Sequence, residues 1–282
     1  MDKQIIHHFI INALAEDVGD GDHTSLATIP DGTAGKAKLL VKDQGILAGV
    51  ELAVEIFHQV DSNLKVNIFL KDGAEVKPKD IAFEVEGDAQ NILKAERLVL
   101  NCMQRMSGIA TKTREIVDLL KGTNAKVLDT RKTTPGLRYL EKWAVRIGGG
   151  VNHRFGLYDM ILIKDNHVDY SGGIRRAIEN THAYLERLHK KLAIEIEVRN
   201  LEELEQVLQT GRVNRILLDN FNFSDLRQAV NIIEGRYITE ASGGITIDNI
   251  RQYAECGVDY ISVGALTHSV KSLDLSLKAV KE

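Results

Sequence analysis

The stretch AIEIEVRNLEELEQVLQTGRVNRILLD, residues 193–219, decides the fold class. A short apolar run leads through a polar turn into the helix-like segment LEELEQVL, and the stretch closes on a second apolar run, RILLD. Parallel strands need a crossover connection between them, so this order predicts a strand, a helix and a second strand of one parallel sheet.

The same order recurs on both sides of this stretch. The last four predicted strands end near Glu197, Asp219, Ala241 and Val263, about 22 residues apart. So regular a period favours a closed or nearly closed α/β barrel over a doubly wound sheet. The six predicted strands are AKVLD (125–129), DMILIK (159–164), AIEIEV (193–198), RILLD (215–219), YITEA (237–241) and YISVG (260–264).

The first third of the chain has a different pattern. Residues 33–88 carry four strand-like runs, KAKLLV, ILAGV, LKVNIFL and IAFEVEG, interrupted by the helix-like VELAVEIF, which predicts an α+β module with an antiparallel sheet. Helical patterns cover residues 5–14 and 89–121, with Ser107-Gly108 as a candidate break. Between them, EDVGDGDHTS is expected to be a turn-rich loop whose acids are solvated rather than a cation site.

These patterns divide the chain into two predicted domains. Residues 1–110 are predicted to form the N-terminal module, joined by a C-terminal helix over residues 269–282, and residues 111–268 are predicted to form the barrel. A length of 282 residues agrees with two domains, or with one barrel and an appendage.

Composition narrows the function classes. The chain is 44% hydrophobic and 27% charged with a net charge of -4, which argues against a general nucleic-acid binder. Its two cysteines, Cys102 and Cys256, lie too far apart in sequence for a CxxC motif, so neither a zinc site nor a disulfide framework is expected. No stretch of apolar residues is long enough to span a membrane, and the N-terminal residues lack the apolar region of a secretory signal. We therefore expect a cytoplasmic enzyme.

Polar residues or glycines follow every predicted barrel strand, where the working residues of such barrels collect. Glu195 and Glu197 are two apart on one strand and point to the same side, where a buried charged pair needs a cation. Alternatively, one of them faces solvent at the strand end. With Asp219 on the next strand, these carboxylates could hold Mg²⁺, directly or through water.

Two glycine turns point to a phosphate. Ser242-Gly243-Gly244 and Gly264-Ala265 end neighbouring predicted strands and precede helices, so backbone N–H groups would converge there.

A second anion is indicated by residues 130–154, which hold six Lys and Arg residues against one acid. Arg131 follows the first barrel strand, and Arg154 follows the triple glycine of GGGVNHR. Two guanidinium forks suit a small dicarboxylate. Arg138, Lys142 and Arg146 recur four apart, so most of these three are expected to form a solvated helix face.

Together with the motifs around them, these residues make the sequence resemble the quinolinate phosphoribosyltransferase family. The motifs ALAEDVGDGDHTS, AERLVLN, SGIAT, DTRKTTPGLR, GGGVNHRFGLYDMILIKDNH, EIEV, LLDN, EASGGI and VGALTHS occur in the family's order over almost the whole chain. The resemblance implies an α/β protein with an N-terminal α/β sandwich and an incomplete barrel of six parallel strands. It also implies Mg²⁺ as cofactor, and a homodimer or a hexamer built as a trimer of dimers.

The resemblance implies roles for single residues as well. Quinolinate would be held by Arg131, Lys132, His153 and Arg154, with Arg97 reaching into the neighbouring subunit's site. Lys132, Lys164, Glu197 and Asp219 would be catalytic, with Glu197 and Asp219 also holding the metal. The full set of implied substrate-binding residues is Arg97, Thr130, Arg131, Lys132, His153, Arg154, Lys164, Glu197, Asp219, Ser242, Gly243, Gly244, Val263, Gly264, Ala265 and His268.

Three other functions stay open at this point. One is a same-fold phosphoribosyltransferase of the molybdenum-transport-associated type with a different acceptor. Another is a barrel aldolase with Lys164 as a Schiff-base lysine. The third is a non-catalytic binding module, which fits poorly with polar groups on every strand end.

Overall fold

The computed structural model describes residues 2–280. It divides the chain into unit 1, which comprises Met1–Arg114, Thr133–Gly149 and Leu266–Glu282, and unit 2, which comprises Glu115–Lys132 and Gly150–Ala265. Residues 133–149, predicted to lie in the barrel domain, therefore cluster with unit 1. No helix within residues 2–280 is both long and apolar enough to cross a membrane.

Unit 1 is built on a four-stranded antiparallel sheet in the order β12-β1-β5-β3. Its apolar core includes Phe57 and Phe83, whose rings meet edge to face with centroids 5.9 Å apart. The early elements are α1 (Lys3–Val18), α2 (His23–Thr28), β1 (Ala34–Val41), β2 (Gly45–Ile46), α3 (Val50–Val60), β3 (Lys65–Ile68), β4 (Glu75–Val76), β5 (Ile81–Asp88) and α4 (Ala89–Leu119), and β12 is Leu275–Ala279.

Three local predictions for unit 1 are wrong. The predicted loop after α1 contains α2, because Asp22 caps it by accepting a hydrogen bond from the Ser25 N–H at 3.1 Å. The predicted break in α4 is absent: a Cβ at Gly108 would collide with the Lys271 carbonyl oxygen, so this glycine serves a close backbone approach.

The third wrong prediction for unit 1 is the C-terminal helix. Residues 275–279 form a strand, not part of a helix, and Leu277 pairs with Leu39 of β1 in antiparallel register. Leu275 and Leu277 are buried while Ser276 is half-buried, a period of two that suits a sheet with one covered face.

Unit 2 contains six parallel strands in the order β6-β11-β10-β9-β8-β7, so the predicted incomplete barrel is confirmed. The two edge strands, β6 and β7, have no ladder between them within residues 2–280. The elements are β6 (Lys126–Leu128), β7 (Ile161–Ile163), α6 (Asp165–Ser171), α7 (Ile174–Arg187), β8 (Ile194–Val198), α8 (Leu201–Thr210), β9 (Arg215–Asp219), α9 (Phe223–Ile233), β10 (Ile238–Ser242), α10 (Ile250–Ala254) and β11 (Tyr260–Ser262). Helix α5 (Arg138–Ile147) lies in unit 1, and α11 spans Ala265–His268.

The repeat β8–α8–β9 shows how the sequence specifies this unit. All five residues of β8 are buried, as expected for a strand covered on both faces. Asn200 caps α8 by accepting from the Glu203 N–H, and Gly211 ends it with a positive φ of 65°. The chain then returns as β9 in register with β8, pairing Glu197 with Leu217.

Candidate active site

The carboxyl ends of the barrel strands bring most of the predicted site residues of unit 2 to one edge. Asp219 of β9 pairs in register with Ser242 of β10, and Glu197 lies one strand away, opposite Leu217. The segments that leave the six strands at this edge begin at Asp129, Lys164, Arg199, Asn220, Gly243 and Val263.

A buried aspartate fixes the loop that carries the second arginine. Asp129 is fully buried and accepts hydrogen bonds from the His153 N–H at 2.9 Å and from Asn152 Nδ2 at 2.5 Å. A parallel bridge between Leu128 and Val151 ties the same loop to β6. The sequence analysis noted Asp129 only as a strand end; its position before Thr130-Arg131-Lys132 gave no signal for this contact.

Arg131 and Arg154 form a cationic pair in unit 2. Burial, and next the charge of Arg131, lower the pKa of Arg154 below its ordinary value. Arg131 Nε is buried and has no hydrogen-bond partner within residues 2–280. Two neighbouring guanidinium groups, one of which retains an unsatisfied donor, are suited to an anion with two acceptor groups.

Glu197 and Asp219 form the acidic counterpart. Burial, and next the negative charge of Asp219, raise the pKa of Glu197, while Lys164 opposes this shift with its Nζ 3.9 Å from Glu197 Oε2. Two mutually repelling carboxylates at a strand edge could hold a divalent cation, and the oxygen donors suit Mg²⁺. Lys164 is half exposed beside a carboxylate, rather than in the apolar pocket that the Schiff-base hypothesis requires.

The glycine turn after β10 has a conformation that needs glycine. Gly243 has a φ of +93°, and a Cβ there would lie 2.9 Å from the Asn220 nitrogen and would collide with the Asn220 side chain. The helix that follows this turn is α10, which begins only at Ile250, so its N-terminus does not adjoin the glycines. Asn249 shapes the intervening turn by donating to the Gly244 carbonyl at 3.1 Å. After β11, by contrast, α11 starts at Ala265, directly after Gly264.

The barrel interior contains a charged cluster that the sequence analysis only half identified. Glu195 Oε2 lies 2.8 Å from His153 Nε2, and Glu240 Oε2 lies 3.5 Å from the same nitrogen and 2.9 Å from Arg215 Nη1. Burial, and next the charge of Glu195, raise the pKa of Glu240 to about 7. Arg215 also stacks on Tyr260 at 4.7 Å. We call Glu195, Glu240, His153 and Arg215 the interior cluster.

The sequence analysis missed Glu240 and Arg215. The available signal was a charged residue inside an apolar strand run, as in YITEA and RILLD. For Glu195 and Glu197, the alternative that one faces solvent is wrong, since their side chains are 0% and 10% exposed.

Two residues that were predicted to bind substrate lie outside unit 2. Arg97, on α4, and His268, at the end of α11, both belong to unit 1 and are exposed. The predicted solvated face of α5 is wrong for Lys142, which is 3% exposed. On the same helix the buried Glu141 pairs with Arg105 at 2.7 Å, so α5 uses charged residues in its packing.

Comparisons with known proteins agree with this architecture. The chain matches the family models described as the quinolinate phosphoribosyl transferase N-terminal domain, over residues 22–107, and C-terminal domain, over residues 109–278. It is 48% identical to "Quinolinate phosphoribosyltransferase [decarboxylating] 2, mitochondrial" of Nicotiana glauca, covering 94% of this chain and 80% of the relative. It is 42% identical to the probable nicotinate-nucleotide pyrophosphorylase [carboxylating] of Bacillus subtilis, covering 98% and 92%.

A solved structure has the same fold as this chain. NadC from Streptococcus pyogenes superimposes with a TM-score of 0.93 at 37% identity, covering 100% of this chain and 99% of that one. The chain therefore belongs to the quinolinate phosphoribosyltransferase family.

Proposed function

We propose that this enzyme transfers the phosphoribosyl group of 5-phosphoribosyl 1-diphosphate to quinolinate with decarboxylation. The products are nicotinate mononucleotide, CO₂ and diphosphate, and the reaction serves NAD biosynthesis. Besides family membership, the observation that carries the proposal is the pairing of Arg131 with Arg154, because a dicarboxylate offers two anionic groups to two guanidiniums.

The acceptor side uses the cationic residues. Arg131 and Arg154 hold the two carboxylates of quinolinate, with Lys132 and His153 completing the site. Thr130 supports this segment by accepting a hydrogen bond from the Lys132 N–H at 3.0 Å. Because the chain supplies these charges in a fixed arrangement, the pyridine nitrogen is oriented toward the ribose.

The donor side uses the carboxylates and the glycine turns. Glu197 and Asp219 stabilise the positive charge that develops on the ribose as diphosphate leaves, and Lys164, whose Nζ lies 3.9 Å from Glu197 Oε2, would neutralise a phosphate oxygen. Mg²⁺, held by Glu197 and Asp219 directly or through water, would take up charge of the diphosphate. Ser242, Gly243, Gly244, Val263, Gly264 and Ala265 would bind the donor's phosphate.

The ring nitrogen then forms the bond to the ribose and becomes quaternary. The positively charged ring accepts the electron pair of the bond to the 2-carboxylate, which departs as CO₂, and a proton replaces it on the ring carbon. The protein's part is positioning and charge neutralisation.

Assembly and location are part of the proposal. We infer a homodimer or a trimer of dimers in which Arg97 completes the partner's site, which is supported by its exposure on α4. We also infer a cytoplasmic enzyme, whereas relatives from Nicotiana and rice are named as mitochondrial or chloroplastic. Cell fractionation tests the location.

One assay tests the reaction. The purified enzyme is given quinolinate, 5-phosphoribosyl 1-diphosphate and Mg²⁺, and CO₂ and nicotinate mononucleotide are both quantified. Equal amounts of the two products support the proposal. No turnover of quinolinate would refute it and favour a family member with a different acceptor.

A further inference from the structure

The two ring nitrogens of His153 have different surroundings. Nδ1 accepts a hydrogen bond from the Arg154 N–H at 2.7 Å, so in the neutral ring the hydrogen resides on Nε2. Nε2 faces the barrel interior, 2.8 Å from Glu195 Oε2. The imidazole thus links an interior carboxylate to the main chain of an acceptor-site arginine.

Glu195 lies beside Glu240, and the charges of Arg215 and Arg154 favour its ionised form, but His153 offers it the shortest polar contact that its carboxylate makes in an ion pair. The Glu195 side chain is fully buried, and neither oxygen has a hydrogen bond of good geometry within residues 2–280. Glu240, in contrast, is engaged by Arg215 at 2.9 Å. A buried carboxylate is costly unless it is paired, and Nε2 of the His153 ring lies 2.8 Å from Glu195 Oε2.

We propose that Glu195 is a positioning residue for the acceptor site, holding the His153 ring from inside the barrel and, through that ring, fixing the main chain of Arg154. This inference rests on the proposed function, because it assumes that His153 and Arg154 serve quinolinate. The contact of Glu195 with Nε2 is short but poorly angled, as functional contacts often are before the substrate complex forms.

A double-mutant cycle tests it. Glu195→Leu replaces the carboxylate by an apolar side chain of similar size. Proteins often tolerate such a replacement of a buried charged residue. We expect KM for quinolinate to rise roughly tenfold, by analogy with the lower end of losses seen when the partner that orients a metal-binding histidine is removed, with KM for the phosphoribosyl donor little changed. In a His153→Ala background, Glu195→Leu should change KM for quinolinate less than about twofold, because the imidazole ring through which Glu195 acts is absent.

Two further variants control for folding. Glu195→Gln retains an oxygen that can accept a hydrogen bond from Nε2, so KM for quinolinate should rise less than in Glu195→Leu. This smaller rise should also vanish in the His153→Ala background. If Glu195→Leu does not fold, Glu195→Gln replaces it in the double-mutant cycle. Asp259→Asn removes a carboxylate that holds the Thr239 N–H at 2.8 Å, on the strand that carries Glu240. It should lower stability without raising KM for quinolinate.

The outcomes separate the inference from the proposed function. If His153→Ala leaves KM for quinolinate unchanged, the placement of quinolinate beside His153 is wrong. If His153→Ala raises it while Glu195→Leu does not, or if the two changes are additive, only the positioning role is overturned. A stoichiometric divalent metal, measured by mass spectrometry in the purified enzyme and lost in Glu195→Leu, would also overturn it, since His153, Glu195 and Glu240 would then be metal ligands.

Discussion

The two units of this chain differ in how their interiors hold charge. Unit 1 buries apolar side chains such as Phe57 and Phe83, both 0% exposed, and its buried Glu141 is paired with Arg105, whereas the barrel of unit 2 buries Glu195 and Glu240 as neighbours at 0% and 1%. Apolar burial stabilises a fold directly, but buried carboxylates cost free energy unless they are paired. The barrel therefore gives up some stability to place two neighbouring carboxylates near its working edge, whereas the buried acid of unit 1 has a cation as its partner.

Removal of divalent cations should have the largest effect on the working edge of unit 2. Because Glu197 and Asp219 repel each other and are proposed to hold Mg²⁺, excess chelator should abolish turnover, and added Mg²⁺ should restore it. The assay measures nicotinate mononucleotide formation against chelator concentration. Full activity in excess chelator would contradict the metal proposal.

Truncating the core of unit 1 should affect stability alone. Phe83→Ala removes a ring that is fully buried against Phe57, so the free energy of unfolding should fall by about 3–5 kcal/mol. Urea unfolding measures this loss. The KM for quinolinate, measured where the variant is still folded, should remain that of the unmodified enzyme; a large increase would show that the division between the two interiors is too simple.

Arg97 is the exception to that division, since it lies in unit 1 and is proposed to serve a partner's active site. Arg97→Ala should weaken quinolinate binding by roughly 1.5–3 kcal/mol, the scale of a hydrogen bond to a charged group, with the fold intact. Titration of quinolinate into the variant measures this loss.

A mixed dimer shows where Arg97 acts. When Arg97→Ala and Arg131→Ala subunits are combined, a shared site places both lesions in one active site and leaves the other intact. Activity should then reappear, approaching half of the unmodified value per mixed dimer. A mixture that stays inactive after verified subunit exchange would place Arg97 in its own chain's site.

The smallest predicted effect is a pH dependence of stability that originates in the interior cluster. The pKa of Glu240 is raised to about 7 in the folded chain, above its ordinary value of 4.5, so the folded state binds its proton more tightly than the unfolded state does. Its contribution to stability is therefore full below about pH 4.5 and is lost as pH rises through about 7.

Glu240→Gln should remove that dependence. Between pH 5 and pH 8, the unmodified enzyme should lose roughly 1–3 kcal/mol more than the variant, as judged from urea unfolding at both values. Identical losses in the two proteins would mean that Arg215 alone keeps Glu240 charged throughout.

Much of this molecule could be predicted from local pattern. The strand-turn-helix period fixed the six barrel strands, because each segment carries its own apolar run and its own turn, and the strand ends then located Glu197 and Asp219. The C-terminal strand could not be predicted this way, since residues 275–279 become a strand by pairing with β1, more than 230 residues earlier in the chain. The link from Glu195 to His153 was hidden for the same reason: it joins residues of different strands and loops, and a single sequence shows no such pairing.

Discrimination between quinolinate and nicotinate tests the central claim most directly. Nicotinate lacks the 2-carboxylate, so one of the two half-buried guanidiniums, Arg131 or Arg154, would be left uncompensated. Comparing kcat/KM for the two acceptors at a fixed concentration of phosphoribosyl donor, we predict that quinolinate is preferred by at least roughly a hundredfold. Comparable turnover of the two acceptors would contradict the account, because it would show that the arginine pair does not recognise a dicarboxylate.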